Sequence, residues 1–513
     1  MKNAKKNGAT ERPEEKPERT SGFEVVCRVL DLPESVEYEG SVGGVSSVTH
    51  DSRLAGPGII FVAVPGFKQD GTDFAREAVR RGSPLVVAER EVTGLDAPVV
   101  VVADAREVLA RLACELSGRP SERLAVYGVT GTNGKTTTSY ALHGILSGAF
   151  GEGGCGLMTT VETIIGQERL PSVRTTPEAT EVQGSLAGMV ESGVQRVVME
   201  VSSHGVTLKR VVGTRFRGAI FTNLTRDHLD LHGSMEEYYR AKRELFYMTE
   251  GPKLANAEDE WGRRLASEVE GVLAFGAVDG ADYAISDVKT DSSGTAFKLT
   301  PSGGELTINT PLLGSYNVLN VAGAVSLALA LGVDGEAVAL AASGMGQVPG
   351  RFERVAGAKE RAGFEVIVDY AHTDVGLRAV LEVARGVLEN ESGRVVCVFG
   401  AAGERDGAKR PLMGQVASEL AEECIVTTDD AYGEDPGKIA EEVFSGIRSE
   451  AGASARIILD RRGAIRTALE LAEAGDVVVI AGKGHERVQH LPEGDVPFHD
   501  TAVAEEILGE TRP

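Results

Sequence analysis

One lysine, a run of threonines and three glycines lie where an apolar stretch gives way to a helical pattern, in GVTGTNGKTTT at 128–138. The backbone N–H groups of such a loop, together with a helix N-terminus, make a fixed anion site. Lys135 would reach the β- and γ-phosphates of a nucleotide, and Thr136 would turn its hydroxyl to Mg²⁺. The strict GxxxxGK[ST] spacing is not met, because the first glycine would fall at Val129; Gly128, Gly131 and Gly134 stand there instead. An ordinary glycine turn is the alternative, and the strand–loop–helix setting favours the nucleotide loop.

Further groups capable of chemistry follow apolar runs. MEVSSHGV places Glu200 at a strand end, where a carboxylate can serve a hard ion such as Mg²⁺. FTNLTRDHLDLHG gathers Asp227, His228, Asp230 and His232 at the end of the next run. Each alone reads as a solvated loop residue, but two polar strand ends beside a phosphate loop read as a shared nucleotide–metal site. Lys242 lies in YYRAKREL, where a solvated helix lysine is the plain alternative. GRFERV and DYAHT offer Arg351 and Asp369 to a nucleotide, with a surface ion pair as the alternative. Arg405, Lys409 and Arg410 in GAAGERDGAKRPLMG form a local positive cluster suited to carboxylate or phosphate, or a solvated loop. AGKGHE at 481–486 follows the last strong strand and suits ligand contact, or is a short turn.

Strands alternating with helices must position these groups. IIFVAV (59–64), PLVVA (84–88) and VVVV (99–102) read as strands, with helices over 74–82 and 105–118. LAVYGVT, QRVVMEV and RGAIFTNL are strands of a second unit, with helices over 235–248 and 315–332. The Thr-, Ser- and Gly-rich stretch 279–312 reads as short antiparallel strands. A third unit has strands over 364–370, 394–400, 424–430, 455–460 and 476–482. Strands spaced by helices imply parallel sheets with ligands at the carboxyl ends. The expectation is an α/β protein of three domains: a small N-terminal α/β domain (23–122), a central P-loop ATPase-like α/β domain (123–349) and a C-terminal Rossmann-like α/β domain (350–513), after a disordered charged tail (1–22).

Composition narrows the function classes. Lys plus Arg is 53 against 76 Asp plus Glu, a net charge of −23, which argues against nucleic-acid and anionic-membrane partners. The five cysteines include no CxxC pair, which fits buried thiols in a reducing compartment. No apolar run has the length of a membrane span, and the N-terminus lacks a signal-peptide h-region. A cytoplasmic enzyme, acting as a monomer, is expected.

GTNGKTT, EVSSHG, TNLTRDHLDLHG, the YRAK lysine, GRFE, DYAHT, ERDGAKRPLMG and GKGHE occur in this order. The set resembles the Mur ligase family, MurE type, from Thr49 to the C-terminus. The resemblance implies a three-domain cytoplasmic ATP-dependent ligase of peptidoglycan precursor synthesis, with ATP and Mg²⁺ as cofactors. It would add the third amino acid to UDP-N-acetylmuramoyl-L-alanyl-D-glutamate through an acyl phosphate. Residue by residue, it implies ATP contacts at Gly131, Thr132, Asn133, Gly134, Lys135, Thr136, Thr137, Asn317, Arg351 and Asp369. UDP-sugar substrate contacts would be Ser52, Phe67, Lys68, Gln69, Thr175, Thr176, Ser202 and Arg210. Lys242 would be carboxylated by CO₂ and hold Mg²⁺ with Thr136, Glu200 and His228. Arg405, Gly482 and Glu486 would grip the incoming amino acid.

Two departures stand out. DYAHTP of the family reads DYAHTD here, with Asp374 in place of proline. Diaminopimelate-adding members show DNPR or DDPR where this chain has DDAY, so Tyr432 replaces the arginine that grips a second carboxylate. Asp429, Asp430, Glu434 and Asp435 make that segment acidic, which suits an ammonium end. The sequence therefore favours L-lysine over meso-diaminopimelate. A folylpolyglutamate synthetase-like ligase and a silent nucleotide-binding protein are the competing readings. The former resembles GTNGKGS and lacks HDSR and GKGHE; the latter has no need of Lys135, Thr136, Glu200, His228 and Lys242 together.

Overall fold

The computed structural model describes residues 22–30, 44–66, 69–151, 153–291, 293–301, 303–388, 393–448 and 452–510. The expected tail, apart from Gly22, and the expected substrate contacts Phe67 and Lys68 lie outside the described residues. Two compact units divide the chain: the first ends at Arg119 and adds Ala179–Gly184, and the second holds the rest from Pro120. The central and C-terminal parts fall in one unit for a packing reason. Leu313, just before the helix Ser315–Ala330, joins the apolar core of the C-terminal sheet.

Among the described residues, the first unit carries a four-stranded parallel sheet in the order Ser47–Thr49, Ile59–Val62, Val86–Ala88, Val99–Val101. Side chains alternate along a strand. Ile60 and Val62 accordingly pack with Leu109 and Leu112 of the helix Ala105–Leu116, while Phe61 packs with Ala75 and Ala78 of the helix Ala75–Arg80. The strand Ser47–Thr49 and the helix Gly22–Leu30 go beyond the sequence expectation.

The larger sheet of the second unit has eleven strands among the described residues. Its middle is parallel: Val272–Gly276, Lys253–Asn256, Phe216–Phe221, Ala125–Thr130, Arg196–Glu200 and Cys155–Met158, side by side in that order. Tyr283–Asp291, Gly294–Thr300 and Leu306–Thr310 extend one edge, antiparallel to one another as expected. The helix Ser315–Ala330 is apolar nearly all round and buried, packing with Val129, Val198, Ile220 and Leu254.

The C-terminal sheet runs Glu353–Arg354, Glu365–Asp369, Val477–Ala481, Val395–Phe399, Glu423–Val426, Ser454–Ile457 among the described residues, parallel except for the first. Its central strands Val477–Ala481 and Val395–Phe399 are apolar without interruption because both faces are covered. Val395, Cys397 and Phe399 meet the helix Asp374–Gly386, while Val396 and Val398 meet the helices Arg461–Leu471 and Asp500–Glu510. The expected strand 424–430 ends at Val426; Thr427–Asp430 is a loop at its carboxyl end. All five cysteines are buried and unbridged, and among the described residues no helix is long and apolar enough to cross a membrane.

One buried ion pair fastens the carboxyl ends of this sheet. Arg461 and Asp500, both with fully buried side chains, pair at 2.7 Å through two bonds, and Arg461 also donates to the Ala481 carbonyl at 3.0 Å. Replacing Asp500 with Ala leaves the guanidinium buried without its carboxylate and should cost about 3–5 kcal/mol. Thermal or urea unfolding measures this, and an unchanged midpoint would contradict it.

Candidate active site

The strand Ala125–Thr130 runs out into Gly131–Gly134 and then the helix Lys135–Phe150. Only glycine fits the two corners. At Gly131 a Cβ would lie 1.8 Å from Thr222 Oγ1, and at Gly134, with φ +81°, it would lie 2.1 Å from Asn320 Oδ1. The neighbouring strand end clamps the loop: Thr222 donates to the Asn133 carbonyl at 2.6 Å, and the Asn133 N–H donates to Asn223 Oδ1 at 2.9 Å. Thr222, Asn223 and Asn320 shape this loop, and the sequence reading assigned them no role. TNLT beside a phosphate loop was the available signal for the first two.

Two lysine amino groups converge on one carbonyl oxygen. Lys242 Nζ donates to the Gly131 carbonyl at 2.7 Å, and Lys135 Nζ donates to the same oxygen at 3.1 Å and to that of Thr132 at 2.8 Å. Burial lowers both amines, Lys242 far below the usual lysine range, and Lys135 adds to that depression. Lys242 is 1% exposed, and its Nζ sits 4.5 Å from the Tyr238 ring centroid, one helical turn before it. Glu200, fully buried, has its carboxyl pushed up by desolvation, against the pull of Lys135. It accepts from the Thr160 N–H at 3.1 Å and hydroxyl at 3.4 Å. His204, His228 and His232 cluster nearby: the rings of His204 and His228 are 4.7 Å apart, and His232 stacks on Tyr238 at 4.9 Å. His228 has a left-handed backbone, φ 51°, and is exposed beside Asp227.

These residues fit a nucleotide with Mg²⁺. Lys135, beside a helix N-terminus without a side-chain cap, suits phosphate oxygens, and a buried carboxylate beside the Thr136 hydroxyl suits a hard cation. Among the described residues no three His, Cys, Asp or Glu side chains come together as a ready metal cluster. The expected metal set draws on Thr136 and a modified Lys242, which lie outside that residue class.

The other expected nucleotide contacts reach the same loop. Arg351 Nη2 donates to Thr136 Oγ1 at 3.4 Å, and its guanidinium lies 4.4 Å from the Tyr370 ring centroid. Asp369 accepts the Phe352 N–H at 2.6 Å and the Ala371 N–H at 2.8 Å, which ties the Arg351 turn to DYAHT. Asn317 is buried and accepts from Asn320 at 3.0 Å.

Thr175, Thr176, Ser202 and Arg210 also come together. Thr160 donates to Thr175 Oγ1 at 2.9 Å, the Ser202 hydroxyl donates to Thr176 Oγ1 at 3.1 Å, and Arg210 donates to the Thr176 carbonyl at 3.1 Å while pairing with Glu178 at 2.7 Å. Ser52 and Gln69 belong to the first unit, where the Ser52 hydroxyl donates to Glu77 at 3.0 Å and Gln69 is exposed.

Three loops at carboxyl ends of the C-terminal sheet carry the expected amino-acid contacts. Arg405 is exposed, with its guanidinium 5.7 Å from the Tyr432 ring centroid, and Tyr432 stacks on His490 at 5.2 Å. The expected positive cluster separates: Arg410 is buried and pairs with Glu434 and Glu442, and Lys409 donates to the His372 carbonyl at 2.8 Å. The acidic segment is also largely engaged internally. Glu434 holds Arg410, Asp435 caps the helix Pro436–Phe444, and Asp430 accepts Lys483 at 2.7 Å and the His490 N–H at 2.9 Å. Charge counted along DDAYGEDP therefore overstates what is open to a ligand, and the basis for expecting L-lysine weakens.

Comparison with known proteins agrees with this arrangement. The chain matches the Mur ligase family, catalytic domain, over residues 44–116, the Mur ligase middle domain over 129–328 and the Mur ligase, glutamate ligase domain over 350–484. It is 42% identical to the UDP-N-acetylmuramoyl-L-alanyl-D-glutamate--2,6-diaminopimelate ligase of Gloeobacter violaceus, covering 91% of this chain and 94% of that one. The enzyme of the same name from Solibacter usitatus is 41% identical over 93% and 96%. A solved structure of a UDP-N-acetylmuramoyl-L-alanyl-D-glutamate--2,6-diaminopimelate ligase superposes with TM-score 0.67 at 30% identity, covering 96% of this chain and 99% of that one. The phosphate loop, the buried carboxylate and the near-complete coverage lead to one assignment: the chain belongs to the Mur ligase family of ATP- and Mg²⁺-dependent ligases.

Proposed function

We propose that this ligase joins 2,6-diaminopimelate to UDP-N-acetylmuramoyl-L-alanyl-D-glutamate in peptidoglycan precursor synthesis, as a cytoplasmic monomer with central and C-terminal domains meeting near residue 350. The observation that carries the ligase chemistry is the convergence of Lys135 and Lys242 on the Gly131 carbonyl beside buried Glu200. The amino acid rests on relatives of that name at about two-fifths identity across nearly the whole chain. ATP with Mg²⁺, when bound, supplies the phosphoryl group that turns the substrate carboxylate into an acyl phosphate.

The protein groups would divide the work. Gly131–Thr137, Asn317, Arg351 and Asp369 bind and orient the nucleotide, and Lys135 offsets repulsion between its phosphates and the substrate carboxylate. Thr136, Glu200 and His228 would hold Mg²⁺. Lys242 would complete that set as a carbamate: its neutral amine adds to the carbon of CO₂, a C–N bond forms as one C–O π bond opens onto oxygen, one proton leaves the nitrogen, and an uncharged amine becomes an anion. Its depressed basicity supports this, because only the neutral amine is nucleophilic. Thr175, Thr176, Ser202 and Arg210 would hold the UDP-sugar peptide; Arg405, Asp429, Asp430, Tyr432, Gly482 and Glu486 would hold the amino acid.

L-Lysine is the second reading. One observation favours it: the side chain at Tyr432 is uncharged and already stacked on His490, so it offers a second carboxylate no bidentate grip.

Two measurements test these proposals. Lys242→Ala should lower phosphate release dependent on both the UDP-sugar dipeptide and the amino acid by about 10²–10³-fold, with partial recovery in acetate; full activity would refute the carbamate. In parallel ligation assays, kcat/KM for meso-diaminopimelate should exceed that for L-lysine by about 10–100-fold. The reverse order would install the second reading.

A further inference from the structure

GKGHE contains a charged side chain that neither the resemblance nor the ligand contacts call upon. Lys483 is fully buried, and its Nζ lies 2.7 Å from Asp430 Oδ1 and 2.8 Å from Glu486 Oε2. Asp430 belongs to the loop after the strand Glu423–Val426, and Glu486 to the loop after the strand Val477–Ala481. A third carboxylate is close by: Asp429 Oδ2 would lie 2.3 Å from a Cβ on Gly482. Asp430 is nearly buried, whereas Glu486 is 32% exposed, so the lysine holds a carboxylate that keeps an open side.

We propose that Lys483 is a positioning residue of the amino-acid site, fixing the Glu486 carboxylate for the ammonium group of the incoming amino acid and locking the two loops that form the site. The proposal rests on the reading above in which Glu486 receives the amino acid. A flexible glutamate would lose rotamer freedom on binding; one already bonded at 2.8 Å to a buried cation has lost it beforehand. The lysine also sets the charge. Three carboxylates without it would repel one another, and an arriving ammonium would be spent on relieving them. With it, Asp430 has a resident partner and Glu486 remains available from its exposed side.

The titratable groups facing Lys483 and Glu486 are Asp429, Asp430, Tyr370, Tyr432 and His485. Burial raises both tyrosines and lowers His485 to about 3, so none of those three changes charge near neutrality. Burial pushes the Glu486 carboxyl up and Lys483 pulls it down. Removing the lysine therefore moves Glu486 further up, and its charged form is lost at higher pH.

Steady-state kinetics of the full-length enzyme with ATP, the UDP-sugar dipeptide and meso-diaminopimelate or L-lysine tests the proposal, using Lys483→Met and Lys483→Arg. In Lys483→Met the amino-acid KM should rise by about 30-fold, and in Lys483→Arg by about fivefold, with the other two KM values within about twofold of wild type. The acid limb of kcat/KM for the amino acid should move to higher pH in Lys483→Met. An amino-acid KM within about twofold of wild type in the folded variants overturns the proposal, as does an equal rise for all three substrates. Should Lys483→Met not fold, Lys483→Arg alone decides by the same criterion. A wild-type enzyme that releases no phosphate with these substrates would refute the ligase reading instead, an outcome visible before any variant is made.

Discussion

Burying two lysine amino groups and a carboxyl group around one glycine carbonyl is the constraint on which the rest of this fold depends. Lys135 and Lys242 reach the same oxygen from two different helices, with Glu200 sealed beside them. Desolvation disfavours every one of these charges, so the structure must hold them where water and side-chain motion would otherwise separate them. The parallel sheet does this by ending three adjacent strands at one level. The strand Ala125–Thr130 delivers the loop, Arg196–Glu200 delivers the carboxylate, and Phe216–Phe221 delivers Thr222 and Asn223 as the clamp. The helix Met235–Tyr247 then passes Lys242 across the top, steadied by Tyr238 four residues earlier.

The C-terminal sheet solves the opposite problem with paired charges. The helix starts and loops at the carboxyl ends of its strands contain fully or nearly buried cations, and each has a partner: Arg461 with Asp500, Arg410 with Glu434 and Glu442, Lys483 with Asp430 and Glu486. Pairs of this kind give geometry more than net stability, because desolvation consumes much of the Coulomb attraction. Their value here lies in fixing where strand ends stop. Arg461 reaches the carbonyl of Ala481, the residue just before Gly482, so the ion pair behind the sheet registers the loop in front of it.

Strand periodicity made most of the fold legible in the sequence. Val395–Phe399 reads as an unbroken apolar run, and the structure shows why: alternate side chains enter two separate cores. The phosphate loop was legible despite its irregular glycine spacing, because the strand before it and the helix after it are strongly patterned. Asn320 escaped notice because it contacts Gly134 from a helix nearly two hundred residues away, and linear spacing carries no trace of such a meeting. The acidic run Asp429–Asp435 misled for the same reason. Net charge along a segment sums groups that the fold assigns to Arg410, to a helix cap and to Lys483.

The two sheets together suggest why an enzyme with a net charge of −23 can still attract anions. Net charge governs long-range encounter, but within a dry cleft the nearest uncompensated group dominates. At the phosphate loop Lys135 rests on the carbonyl oxygens of Gly131 and Thr132, which satisfy its hydrogen bonds without cancelling its charge. At the carboxyl ends of the C-terminal sheet Lys483 rests on carboxylates, which do cancel its charge. The same residue type thus serves opposite ends, and the difference lies wholly in the oxygen that receives its proton. A carbonyl leaves the positive field available to a phosphate, while a carboxylate converts it into a rigid, locally balanced frame that an ammonium group can enter.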